Sequence, residues 1–195
     1  FATDAHTLPS ARSQGEPLTG RFNLATGVNI CQSIMADDEQ KFLLASDSGY
    51  GFIGSFADMV SRNKNGKALL SLPVAAEVLA PSAVNDIEKE LCLAITTEGR
   101  MLLFPIQDLP QLSKGKGNKI IGIPTARAKA REEYVTILAV VAEDQPVTLF
   151  AGKRKLTLKP ADLAHYRGER GRRGNKLPRG LQRVESIKVG DLEES

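Results

Sequence analysis

The chain has no run of about 18 apolar residues of the kind that crosses a bilayer as a helix. Its first residues, FATDAHTLPS, lack the charged start and apolar centre of a signal peptide. Membrane insertion and export are therefore not expected, and a cytoplasmic location is. Cysteine is scarce: Cys31 in VNICQSIM and Cys92 in ELCLAI sit among apolar neighbours, where a free thiol behaves as a small hydrophobe. Histidine is as scarce, and His6 and His165 have no metal-ligand spacing, so no metal site is expected. Nucleophile-elbow and paired-carboxylate patterns are missing, which leaves no candidate catalytic residue. The glycines of GERGRRG and GKGNKIIG fit neither the dinucleotide fingerprint nor the full phosphate-loop pattern, so no nucleotide cofactor is expected on this chain.

What remains is a chain of 195 residues with 42% hydrophobic content, enough for one domain with a substantial core. The formal charge of +3 averages over segregated signs. Acids collect in ADDEQ, NDIEKE, REE, AED and GDLEES, while bases collect beside glycines, and it is local charge that a polyanion meets.

The sequence repeats. With a shift of fifty, FLLASDSGYGFIGSFADM (42–59) lies over CLAITTEGRMLLFPIQDL (92–109), aligning Gly49 with Gly99 and Asp58 with Asp108. TLFAGKRKLTLKPADL (148–163) is a third copy, with Asp162 in the same role. Each copy reads as a β-rich run, a tight turn (SDSG, TTEG, AGKR) and a second β-rich run. An aspartate then caps a one-turn helix; one carboxylate per unit argues for a structural turn over a metal ligand. Closing strand signals follow in VNICQSIM, EVLAPSAV, YVTILAVVA and RVESIKV. TARAKAREE (125–133) reads either as a helical insertion or as a mobile loop. The fold class is all-β, an array of small antiparallel sheets of about fifty residues each, every one burying its faces only against its neighbours. Residues 1–190 are expected to form about four such units, with 191–195 an acidic end that is either a solvated tail or a regulator of affinity. The first copy lacks a strand pair before Phe1, which favours further material upstream over closure of a ring by two partial units.

After each aspartate comes a polar, glycine-bearing loop that leads to a basic residue: VSRNKNGKALLSL to Lys67, PQLSKGKGNKIIGI to Lys119, and AHYRGERGRRGNKL to Lys176. ARSQGEPLTGRFNL, with Arg12, is a partial copy in which Arg21 takes the lysine's place. In LSKGKGNK, Lys114, Lys116 and Lys119 alternate with glycines, so that ammonium groups and backbone amides can approach one phosphate. In RGERGRRGNK, Arg167, Arg170, Arg172, Arg173 and Lys176 offer guanidinium forks for phosphate oxygens. Arg170, Arg172, Arg173 and Lys176 are the strongest candidates, supported by Lys114, Lys116 and Lys119 and then by Lys64 and Lys67. One such loop reads as a solvated surface; its recurrence predicts a curved positive track that holds duplex backbone and favours bent DNA. Lys153, Arg154, Lys155 and Arg179 form a separate basic cluster, read as a solvated turn or as a dock for an acidic protein.

The strings LPSARSQGEPLTG, GYGF, DLPQLSKGKGNKIIGIP and GERGRRG together resemble the C-terminal domain of the A subunit of bacterial DNA topoisomerase IV, a relative of the gyrase A protein. The resemblance covers essentially the whole chain. It implies a β-pinwheel, a propeller-like disc of four-stranded blades with a duplex-binding rim. It also implies a domain without catalysis of its own, in a holoenzyme that uses ATP and Mg2+ and includes the rest of the A subunit together with the B subunit. The implied partner is duplex DNA and the implied setting is the chromosome and its segregation; the rival reading is a protein-interaction propeller whose basic clusters, Lys153, Arg154, Lys155 and Arg179 among them, dock an acidic partner such as a bacterial condensin. The string QRRGGKG, which supports strong wrapping in gyrase-type relatives, does not occur, so the resemblance implies decatenation and relaxation rather than chiral wrapping.

Overall fold

The computed structural model describes residues 1–10, 12–22, 24–30, 32–61, 63 and 65–190. Three antiparallel sheets follow one another along the chain. Strands β1 (Lys41–Ser46) and β2 (Tyr50–Ser55) form the first hairpin, and β3 (Ser82–Val84) pairs with β1. Strands β4 (Glu90–Thr96) and β5 (Arg100–Pro105) form the second, closed by β7 (Val135–Ala142) after an intervening β6 (Asn118–Lys119). The third comprises β8 (Val147–Ala151) and β9 (Arg154–Leu158), and it is closed by β11 (Ser186–Val189) after β10 (Asn175–Lys176). The expected all-β fold and the three hairpins are thus present.

The two short strands do not stay with their own unit. β6 leaves the second unit to pair with β2 of the first, Tyr50 opposite Lys119 and Gly51 opposite Asn118. β10 leaves the third unit to pair with β5 of the second, Arg100 opposite Lys176 and Met101 opposite Asn175. The sheet orders are accordingly β3-β1-β2-β6, β10-β5-β4-β7 and β11-β8-β9. The second and third units each lend a piece of their basic loop as the outer strand of the unit before.

Burial explains the different sequence textures. One face of the first sheet (Leu43, Ala45, Ile53) packs on one face of the second (Cys92, Ala94, Leu102, Phe104). The opposite face of the second (Leu91, Leu93, Ile95, Met101, Leu103) packs on the third (Val147, Leu149, Leu158). A sheet covered on both sides needs unbroken apolar strands, hence LCLAI and MLLF, whereas RKLTL in β9 is solvated and keeps mostly polar residues. Each fully buried leucine contributes about 1.5–3 kcal/mol. Cys92 lies wholly inside, and burial pushes its thiol well above the ordinary range, so it acts as a core hydrophobe. Cys31 and the acidic end at 191–195 lie outside the described residues.

Three local expectations are refined. The one-turn helices contain the aspartates rather than follow them. In the N-terminal segment a 3-10 turn at Ala5–Thr7 precedes α1 (Leu18–Arg21); in α2 (Phe56–Met59) the N-cap is Ser55, whose Oγ accepts from the Asp58 amide at 3.3 Å and donates to Asp58 Oδ2 at 2.9 Å. Residues 125–133 are not a mobile loop but begin with helix α3 (Thr125–Lys129). In α4 (Pro160–Leu163) the Asp162 carboxylate reaches back to accept the Lys159 amide at 3.0 Å. The carboxylate is thus spent on a helix start in both turns. VNICQSIM forms no strand among its described residues. Among the described residues no hairpin precedes it, and Ile34 covers the outer face of the first sheet beside Phe42, Leu44 and Phe52.

Candidate nucleic-acid interface

The basic loops owe their position to strand donation. Gly117 and Gly174, the residues before β6 and β10, adopt φ of +74° and +71°. A Cβ there would lie 2.0 Å from the Gly51 carbonyl oxygen or 2.5 Å from that of Met101. Only glycine lets the loop press so closely on the neighbouring hairpin. Just upstream each loop makes a parallel bridge to the same strand, Gln111 on Ile53 and Arg167 on Leu103.

The loops are also tied to one another. The Gly115 amide donates to the Leu69 carbonyl at 2.8 Å, and the Ser71 amide returns a bond to the Gly115 carbonyl at 2.9 Å. The Gly171 amide donates to the Ile120 carbonyl and the Gly122 amide to the Arg172 carbonyl, both at 2.8 Å. Backbone hydrogen bonds therefore join the first loop to the second and the second to the third, in a continuous strip. The amides of Gly115, Gly168 and Gly171 all donate to carbonyls of neighbouring loops or strands, so the loop glycines serve the strip's construction and the side chains carry its charge.

Those side chains divide by what they touch. Lys114, Lys116 and Lys176 are exposed, and Lys116 Nζ sits 3.7 Å from the centre of the Tyr50 ring, an attraction of charge to the ring face. Lys119 is half-buried, with Nζ 5.8 Å from the same ring. Lys67 is exposed and its ammonium bonds the Asp58 carbonyl. Arg12 is exposed, and Lys64 lies outside the described residues. Arg170 Nη1 donates to the Lys119 carbonyl at 2.7 Å, and exposed Arg172 pairs at 2.9 Å with Glu169 of its own loop. Arg167 pairs with Glu143 at 2.7 Å. Arg21 is folded into the N-terminal segment, pairing with Glu16 and donating to Thr3 Oγ1 and Thr7 Oγ1 at 3.1 and 2.9 Å.

Arg173 is held differently from its neighbours. Its guanidinium grips both oxygens of Glu133, whose side chain has no solvent exposure, with Nη2 to Oε2 at 2.7 Å, and Nη1 also donates to the Gly122 carbonyl at 2.9 Å. Thr96 Oγ1 donates to the same carboxylate at 3.1 Å, and Arg127 lies 3.3 Å from it. Arg127 also donates to Glu98 at 2.8 Å, and that bond, with smaller help from the charges of Lys176 and Arg173, holds the Glu98 carboxyl below its usual range.

Arg100 is absent from the sequence candidates, yet it lies at the rim opposite Lys176 and donates to the Gly174 carbonyl at 3.1 Å. Tyr50 holds the equivalent place opposite Lys119. Both directly follow the turn glycines that the fifty-residue shift aligns, which is the signal that marks them. In the second basic cluster Lys153, Arg154, Lys155 and Arg179 are exposed, and Arg154 Nη1 reaches the Arg179 carbonyl at 3.4 Å.

The same fold is found in a solved structure. The C-terminal domain of Escherichia coli ParC superposes with a TM-score of 0.91 at 49% identity, over 97% of this chain and 76% of that one. The chain belongs to the family of C-terminal domains of the DNA topoisomerase IV A subunit. The A subunit of DNA topoisomerase 4 from Pseudomonas aeruginosa is 56% identical over 189 residues, and that from Escherichia coli is 51% identical over the same length, each match covering 97% of this chain. The chain spans about a quarter of the length of these curated relatives. A DNA gyrase A C-terminal domain, at 15% identity and a TM-score of 0.66 over 88% of the chain, shares the fold. That fold is the β-pinwheel, with three open antiparallel sheets among the described residues. No protein-family model matches the chain. Among the described residues, no helix is long and apolar enough to cross a membrane.

Proposed function

We propose that this chain is the non-catalytic DNA-binding and DNA-bending domain of a topoisomerase IV A subunit. It holds a duplex on the strip of basic loops and thereby shapes decatenation and the preference for supercoil sign. The observation that carries this reading is the lacing of three loops into one strip whose lysines, Lys114, Lys116 and Lys176, face solvent. Arg170, Arg172, Lys67 and Lys119 extend the strip, with exposed Arg12 of the N-terminal segment a further candidate, and phosphate contacts of this kind position DNA without reading its sequence. Strand cleavage, with its ATP and Mg2+, belongs to the rest of the A subunit together with the B subunit, and the setting is the bacterial chromosome in the cytoplasm. The exposed cluster of Lys153, Arg154, Lys155 and Arg179 supports a second contact, with an acidic protein such as a bacterial condensin.

If about six to eight phosphates are neutralised, affinity for duplex falls by roughly three orders of magnitude or more between 50 and 200 mM salt. Replacing Lys114, Lys116 and Lys176 together by alanine lowers the slope of log affinity against log salt by about 2.7, at roughly 0.9 per phosphate. Binding of the wild-type chain that does not respond to salt, or an unchanged slope in the triple variant, refutes the reading.

A further inference from the structure

We infer that Glu133, an acid, is a positioning residue for the DNA strip, and that Arg173 serves it as an anchor rather than as a phosphate contact. This rests on the DNA-binding reading above. Glu133 ends a short segment that touches three places. Arg127 of α3 bonds Glu98 in the turn of the second hairpin, at 2.8 Å. Arg131 pairs with Asp47, a buried carboxylate in the turn of the first hairpin whose Oδ1 also accepts the Glu77 amide at 2.9 Å. The Val135 amide donates to the Asp47 carbonyl at 2.7 Å. Glu133 itself takes both arms of Arg173 from the third basic loop.

One segment therefore connects the turns of the first two sheets to the most basic loop. The loop is also attached by backbone bonds such as the Gly171 amide on Ile120, by the two-residue strand β10, and by single-arm contacts of Arg170 with the Lys119 carbonyl, Arg100 with the Gly174 carbonyl and Arg167 with Glu143; Arg173 alone among these grips a buried carboxylate with both arms. A charged, fully buried carboxylate is costly unless paired, so Glu133 holds Arg173 inward, and the planar guanidinium fork fixes the loop in direction as well as distance. With Arg173 turned in, Arg170, Arg172 and Lys176 are held along the strip. The two possible roles of Arg173 predict opposite signs for the loss of its partner. If Arg173 contacts phosphate, neutralising Glu133 removes a repelling charge and frees a cation, so DNA binds as well or better. If Glu133 positions the loop, the same change weakens binding although the chain has gained positive charge.

The test is Glu133→Gln in the 195-residue chain, titrated against linear and intrinsically curved duplex over a range of salt, with circular dichroism to establish folding at the assay temperature. The expected result is an affinity for curved duplex lower by about tenfold, with a shallower salt slope. Equal or tighter binding overturns the inference while leaving the DNA-binding reading intact, whereas salt-insensitive binding by the wild-type chain overturns both. Arg173→Lys and Arg173→Met provide a second arm should Glu133→Gln not fold. Lysine keeps the charge and loses the fork, so both variants should bind curved duplex about equally weakly; wild-type affinity in Arg173→Lys, with loss only in Arg173→Met, overturns the inference.

Discussion

Gly171 and Gly174 lie in the same basic loop with nearly the same backbone, φ of +79° and +71°, yet replacing each by alanine should have different effects. Both substitutions put a side chain into the left-handed region, at about 1–2 kcal/mol. At Gly171 the new methyl would meet nothing closer than 3.5 Å, an ordinary contact, so the conformational cost is the whole effect. At Gly174 it would stand 2.5 Å from the Met101 carbonyl oxygen and 2.9 Å from its carbon. Backbone cannot swing aside as a side chain can, so β10 must lift from β5, at a further cost of about 1–3 kcal/mol typical of overpacking. For a domain of this size each kcal/mol moves the melting temperature by about 2–4 °C. Gly174→Ala should therefore melt about 2–12 °C below Gly171→Ala when the two are followed side by side by calorimetry. Since β10 carries Lys176, duplex affinity should also fall further in Gly174→Ala. Melting curves for the two variants that coincide within about 1 °C would refute the view that the loop glycines exist to seat the donated strand.

Tyr166 is buried, and that burial, aided by the charge of nearby Asp162, raises its phenol above the usual value of about 10. The folded state thus binds this proton more tightly than the unfolded chain does; the resulting stability is fully present below the ordinary phenol range and is lost as pH rises through the raised value. Ultraviolet titration should show a late phenolate phase that disappears in Tyr166→Phe, and a phase that persists in that variant excludes the assignment. Cys92 should react with a thiol reagent only after denaturation: in a Cys31→Ser background, native protein should show no reactive thiol and unfolded protein one, while prompt reaction in native buffer contradicts the buried core.

The repeat was legible because hairpin strands, turn glycines and aspartates recur with their apolar pattern intact, as at Gly49 with Gly99 and Asp58 with Asp108. Strand donation was not, because β6 and β10 are two residues each, polar, and set among lysines, too short to show alternation. The Gly-Asn-Lys triplets at 117–119 and 174–176 are its trace in the sequence. Partners distant along the chain were also hidden. Arg173 reads like its neighbours in GERGRRG until the fold brings Glu133, forty residues earlier, against it. Arg21 stands where the lysines of other copies stand, but Glu16, Thr3 and Thr7 enclose it. VNICQSIM has the composition of a strand yet pairs with none among the described residues, since pairing is decided by a neighbour and not by the segment itself.

The lending of outer strands has a bearing on solubility. The second strand of a hairpin is where a sheet would otherwise continue into another molecule, and MLLF of β5 would make an adhesive border. In the first two sheets that border is sealed in part by a neighbour's Asn-Lys pair, so the peptide that gives the rim its charge also closes the sheet against self-association. β9 has no such cover among the described residues, and there the sequence itself changes: Arg154 and Lys155 stand exposed along the strand, with Lys153 at its turn. Charges along a strand discourage a second copy from adding to it, so among the described residues β9 is protected by its own basic side chains as β2 and β5 are by a lent strand.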